Sequence, residues 1–154
     1  VNGQNVIETQ DLTKVYGEQV AVNHLNLKIH QGEIFGFLGP NGAGKTTTLI
    51  MLLGLSEPTS GKALVCGFDP TREPMKVKRV AGYLPENVGF YDDMNAANNL
   101  QFIARLNGIP DSESRSKIEE VLRQVDLQPE PRKKVGEYSR GMRQRLGIAE
   151  VLLK

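Results

Sequence analysis

Residues Gly39-Pro40-Asn41-Gly42-Ala43-Gly44-Lys45-Thr46 spell G-x-x-x-x-G-K-[ST], and this pattern has a mechanical meaning only at one kind of junction, the turn from a buried strand into a helix. Glycines let the backbone fold back until consecutive N–H groups point inward, forming a nest for anionic oxygens that the positive end of the following helix reinforces. In such a nest the lysine reaches the β- and γ-phosphates of a nucleotide, and the next hydroxyl supplies one ligand to Mg²⁺. Lys45 and Thr46 are the residues for these roles. The flanks match the junction. Glu33-Ile34-Phe35-Gly36-Phe37-Leu38 reads as a central parallel strand covered on both faces. Thr47 to Leu55, with Leu49 to Leu53 leaving no polar face, reads as a buried helix. A dinucleotide-binding turn is the nearest competitor, but Gly42-Ala43-Gly44-Lys45-Thr46-Thr47 lacks the third glycine of G-x-G-x-x-G, which argues against NAD.

The rest of the chain narrows the class. With 154 residues, 39% hydrophobic and 24% charged, the sequence is long enough for a core and excludes intrinsic disorder. Residues 1 to 110 hold 9 basic against 10 acidic side chains and residues 111 to 154 hold 10 against 8, so no charge block points to nucleic acid. Cys66 is the only cysteine, and with His24 and His30 alone a Cys/His zinc cage cannot be assembled. A reducing compartment fits that usage. The run Leu49 to Leu53 is far short of the ~20 apolar residues that cross a bilayer, and no secretory signal pattern opens the chain. The sequence begins at Val1 rather than Met and stops at Lys154 in mid-pattern, so trimming at both ends is expected.

Alternation around Val6, Glu8 and Thr9 and again at Leu25, Leu27 and Ile29 predicts an antiparallel sheet at the start. Turn chemistry at Glu57 to Gly61 is followed by a short strand at Ala63-Leu64-Val65 and a short helix from Pro74 to Val80 running into Ala81-Gly82-Tyr83-Leu84. From Met94 the pattern is helical: Leu100, Ile103, Ala104 and Asn107 form one stripe, Gly108-Ile109-Pro110 break it, and Ile118, Val121, Leu122 and Val125 form a second. A Pro-bearing loop, Gln128 to Arg132, leads to Ser139 and a last helix from about Arg140.

Taken with three other segments, the loop resembles the nucleotide-binding subunit of ATP-binding cassette (ABC) transporters over nearly the whole chain. The first is Leu12-Thr13-Lys14-Val15-Tyr16-Gly17, where the family carries an aromatic residue that stacks on adenine, a role the resemblance gives to Tyr16. Without the loop downstream, a tyrosine in a strand reads as ordinary packing. The second, Gly82-Tyr83-Leu84-Pro85-Glu86-Asn87, looks like the family's Q-loop, whose Gln contacts Mg²⁺ and the attacking water; here Glu86 stands instead, a harder ligand that keeps the metal role, against the alternative of a solvated surface carboxylate. The third, Tyr138-Ser139-Arg140-Gly141-Met142-Arg143-Gln144-Arg145, is similar to the L-S-G-G-Q signature at Ser139 and Gly141, and the variant resembles the drug, antibiotic and sodium exporter branch. Ser139 also reads as an N-cap, which is compatible, because a capped helix start is an anion site.

The resemblance implies an α/β chain with a P-loop NTPase core. Its parts are an antiparallel β subdomain at 1–32, the core at 33–91, a helical subdomain at 92–140 and a signature helix at 141–154. It implies ATP and Mg²⁺ as cofactors. ATP contacts fall on Tyr16, Gly39, Pro40, Asn41, Gly42, Ala43, Gly44, Lys45, Thr46, Thr47, Ser139 and Gly141, catalytic roles on Lys45 and Glu86, and metal contacts on Thr46 and Glu86. Partners would be a second such subunit, facing head to tail, and membrane permease subunits received by Asn87 to Met94, where Val88, Phe90, Tyr91 and Met94 are equally readable as the base of the helical subdomain. No nucleic acid partner is expected, and the location would be cytoplasmic, peripheral on the inner face of the cell membrane.

The family's next strand, ending in Asp and a catalytic Glu (Walker B), has no counterpart in these residues. Residues 1–154 alone are therefore expected to be inactive as an ATPase, with the faces of the Ile34 to Leu38 strand uncovered. Two alternatives belong to other classes. A P-loop GTPase switch would need an N-K-x-D motif, which is absent; a non-transport cassette ATPase of ribosomes or DNA repair shares these motifs but usually carries two cassettes or a long insertion.

Overall fold

The computed structural model describes residues 4–127 and 132–153, in two compact units, Val1–Ala81 and Gly82–Lys154. In the first, β1 (Asn5–Tyr16) and β2 (Gln19–His30) form an antiparallel hairpin, and β3 (Ser60–Val65) pairs antiparallel with the other edge of β1, giving the order β2-β1-β3. The hairpin turns at Gly17, whose φ of 58° is the left-handed conformation such short connections require. The expected antiparallel sheet is thus present, bent where Asp11 (φ 48°) and His24 (φ 47°) interrupt the register. The Asn26 side chain spans the irregularity between Thr9 and Leu12, accepting from the Asp11 N–H and donating to its carboxylate, both at 2.9 Å.

Helix α1 (Lys45–Leu52) and the short α2 (Pro74–Val80) complete this unit. Leu12, Val22, Met51, Leu52, Ala63, Val65 and Val77 form its core. Two expectations are corrected. No strand forms over 33–38: Ile34 and Leu38 are 101% and 90% exposed, because a strand exists through its ladder and neither β1, β2 nor β3 pairs with this segment. Nor is α1 buried all round. It begins two residues before the expected start at Thr47, buries Thr48, Met51 and Leu52, and leaves Leu49 exposed, since only one face of so short a helix meets the sheet.

The second unit contains the two amphipathic helices, α3 (Ala96–Leu106) and α4 (Asp111–Gln124), a 3₁₀ turn at Val135–Glu137, and α5 (Arg140–Leu152). Asn95 caps α3 by accepting the Asn98 N–H at 2.8 Å. Gly108 (φ 72°) and Pro110 separate α3 from α4 as the sequence requires. Leu100, Ala104, Ile118, Leu122, Leu146 and Leu153 are at the centre of a core shared by the three helices. The Pro-bearing loop expected at Gln128 to Arg132 lies outside the described residues except for Arg132. Among the described residues no helix is long and apolar enough to cross a membrane.

Candidate functional site

The glycine loop runs directly into α1, and the junction is fixed by a residue that cannot carry a side chain. Gly44 precedes the helix at φ 79°, and a Cβ there would be driven into the Ala21 carbonyl oxygen of β2 and would stand 3.0 Å from Val22 Cγ2. The loop therefore rests on β2 at this point. At Gly39 a Cβ would meet the Ala43 Cβ at 3.2 Å, so the two ends of the turn are also close. Helix α1 starts with no side-chain cap and no acidic residue in its first turn, which leaves the positive end of its dipole to the loop.

Lys45 folds back over the turn. Its ammonium donates to the carbonyl oxygens of Gly39 and Pro40, both at 2.7 Å, which holds the charge within the loop. The Thr46 side chain is exposed, whereas Thr48 is buried and its hydroxyl donates to the Gly44 carbonyl at 2.9 Å, locking the first turn. A pocket of about 430 Å³ adjoins these residues, lined among others by Val20, Ala21, Phe37, Leu38 and Lys45. An apolar wall beside an uncapped helix start and one cation suits a ligand that is anionic at one end and flat or apolar at the other. Tyr16, at the end of β1 in the same unit, keeps 48% of its surface exposed, and the Lys14 ammonium stands 5.0 Å from its ring centroid.

The remaining candidates lie in the second unit. Ser139 caps α5, its hydroxyl oxygen accepting from the Met142 N–H at 3.3 Å. At Gly141 the nearest atom a Cβ would meet is that same hydroxyl oxygen, 4.0 Å away, so the space beside this turn is open. Glu86 is exposed. Of the segment from Asn87 to Met94, Phe90 packs against the helical core, while Tyr91 is 49% exposed and sets its ring edge-on to Phe102 at 5.3 Å. Lys45 and Tyr16 thus belong to one unit and Glu86, Ser139 and Gly141 to the other.

Three contacts had no sequence signal. Buried Asn99 accepts from the Tyr91 N–H at 2.9 Å and donates to the carbonyls of Tyr91 and Asn95 at 3.1 Å each. Arg143 pairs with Asp92, and Lys14 approaches Tyr16. A groove of about 1090 Å³ between α3 and α4 surrounds the Arg105–Asp111 pair, in which Arg105 donates from Nε and Nη2 at 3.0 and 2.9 Å. That hydrogen bonding, with the guanidinium charge, holds the Asp111 carboxyl below its ordinary range.

The antiparallel sheet with its helices makes this an α/β chain, in which the glycine turn rests on β2 and opens α1. The family model described as ABC transporter matches residues 22–154, and the chain belongs to this family, among its ATP-binding subunits. It is 49% identical over 148 residues to the bacitracin transport ATP-binding protein BcrA of Bacillus licheniformis, a match covering 96% of this chain and 47% of that protein. Its identity to the protein of the same name from Enterococcus faecalis is 43%, with the same coverage. The chain spans about half the length of these curated relatives. Among solved structures, an ATP binding subunit of an ABC transporter superposes with a TM-score of 0.80 at 28% identity, covering 96% of this chain and 62% of that one. The fold is also that of cbiO1 from Clostridium perfringens, described as part of the ABC transporter complex cbiONQ, with a TM-score of 0.85 at 24% identity over 97% of this chain and 61% of that one.

Proposed function

We propose that the loop Gly39 to Thr46 binds the phosphates of Mg-ATP and that the whole protein hydrolyses ATP to drive transport through membrane partner subunits. The observation that carries this reading is the Gly44 junction: a turn pressed so closely on β2 that no Cβ fits, opening an uncapped helix end with Lys45 held over it. These residues fit the group. Backbone N–H groups of the turn and the α1 dipole take phosphate oxygens, the Lys45 ammonium supplies the side-chain charge, and the exposed Thr46 hydroxyl offers a hard oxygen to the metal. When bound, Mg²⁺ offsets the charge that develops on the transferred phosphoryl group. Tyr16 offers its exposed ring to the base, and Thr47 extends the polar start of α1.

In this reading Ser139 and Gly141 present the α5 end to the nucleotide held by a second copy arranged head to tail, and Glu86 serves the metal and water. Asn87 to Met94 receives the membrane subunit, and exposed Tyr91 supports that role. The protein works at the cytoplasmic face of the membrane. The relatives named for bacitracin transport favour the exporter branch. A ligand that prefers the closed pair shifts the population of the assembly, and its loss on hydrolysis reverses the shift. Titration of ATP into a folded Lys45→Ala protein tests the site: charge-assisted contacts of this kind contribute roughly 1.5–3 kcal/mol. Affinity is expected to fall ~10- to 100-fold, and unchanged affinity would rule the loop out.

A further inference from the structure

We propose that α5 carries residues 82–92 along one face and thereby ties the segment that receives the membrane partner to the Ser139 end of the same helix, with Asp92 and Arg143 as positioning residues. This rests on the function proposed above. Arg143, Gly147 and Val151 fall at successive four-residue steps of α5 and so share a face. Each meets the 82–92 stretch, in reverse order. Arg143 donates to the Asp92 carboxylate. A Cβ at Gly147 would run into Leu84 Cδ1 and stand 3.1 Å from Val88 Cγ2, and one at Gly82 would run into Val151 Cγ1. Two of the three contacts are therefore close approaches at glycine, and the third is a charged pair.

The far end of the stretch is closed from other sides as well. Buried Asn99 grips both backbone groups of Tyr91. Val135 N–H donates to the Met94 carbonyl at 2.8 Å and Gly136 N–H to that of Asp92 at 2.9 Å. The 3₁₀ turn holding those donors ends at Glu137, and only Tyr138 separates it from the Ser139 cap. A displacement at Asp92 is thus delivered to Ser139 twice, through the backbone at Gly136 and through Arg143 in the first turn of α5. With 30% and 67% side-chain exposure the ion pair adds little to folding. Its effect is on register.

The test compares Asp92→Arg, Arg143→Asp and the double exchange in the intact subunit assembled with its membrane partner in proteoliposomes. Each single exchange is expected to lower the ratio of partner-stimulated to basal turnover by about 3- to 5-fold, the scale of one partly exposed pair. The double exchange restores it to within about twofold. Amide exchange at Met142, whose N–H Ser139 caps, accelerates in the singles and recovers in the double. Singles that leave the ratio unchanged, or a double as impaired as the singles, overturn the proposal. Lys45→Ala in the same preparation separates the two layers: retained ATP binding removes the nucleotide site and this inference with it, whereas lost binding without recovery in the double exchange removes the coupling alone.

Discussion

Gly42 and Gly44 share a positive φ but not an environment, which makes them a controlled pair. Their φ values are 83° and 79°; a Cβ at Gly42 meets nothing within 4 Å, whereas one at Gly44 collides with the Ala21 carbonyl oxygen and presses on Val22. The left-handed conformation costs an alanine about 1–2 kcal/mol at either position. Overpacking adds about 1–3 kcal/mol at Gly44 only. Gly42→Ala is therefore expected to lose about 1–2 kcal/mol and Gly44→Ala about 2–5 kcal/mol. Urea unfolding without nucleotide reads the difference: with a slope of about 2 kcal/mol per molar, a gap of about 2 kcal/mol separates the two midpoints by about 1 M. Equal losses in the two variants would show that the loop does not rest on β2 at Gly44.

Glu86→Gln in the assembled protein should retain ATP binding while changing Mg²⁺ dependence or turnover, because a neutral amide oxygen is a weaker ligand for a hard cation; overlaid Mg²⁺ titrations and rates would assign Glu86 to solvent. Residues 1–154 expressed alone should bind Mg-ATP at most weakly, turn over no ATP above background and self-associate through exposed Ile34 and Leu38. Size-exclusion chromatography should then show that Ile34→Lys with Leu38→Lys shifts the chain toward monomer, and turnover abolished by Lys45→Ala would contradict the expected inactivity. The carboxyl of Asp111 is held low by its hydrogen bonds from Arg105 and by the guanidinium charge, so its contribution to stability is full above the unfolded value and is lost as the pH falls through the lower folded one. Asp111→Asn should flatten that acid limb in urea midpoints collected across the carboxylate range, and an unchanged limb would mean the pair does not persist in solution.

Local pattern carried much of the architecture. The stripe through Leu100 and Ala104, the break at Gly108 to Pro110 and the stripe through Ile118 and Leu122 place α3 and α4, because each helix records its buried face within its own residues. Ser139 announced the start of α5 for the same reason: a cap is a local hydrogen bond. The segment 33–38 failed where composition stands in for partnership. Its apolar run is what a doubly covered strand carries, but a ladder depends on a neighbour, and 33–38 joins neither edge of the sheet β2-β1-β3. Asp92 with Arg143 was illegible because the two are 51 residues apart, and Asn99 because an amide inside a helical stripe gives no hint that it serves a loop. The glycine pattern and the helix that follows it were legible in the candidate loop, but the strand expected before it did not form, and the reason Gly44 must be glycine lies in the carbonyl of Ala21.

The Ser139 cap has a directional consequence for chemistry at the start of α5. A hydroxyl has one proton and two lone pairs, and one lone pair of Ser139 already faces the Met142 N–H. Drawing electron density toward that amide makes the remaining proton a better donor. That proton is therefore best placed for an acceptor, whereas an ammonium group, which has no lone pair to offer, could use only the second lone pair of the oxygen. Threonine preserves this polarity; alanine and valine abolish it. Asparagine keeps the cap but offers an amide on a different reach, so a Ser139→Thr protein and a Ser139→Asn protein of similar helix stability would differ in the anions they admit.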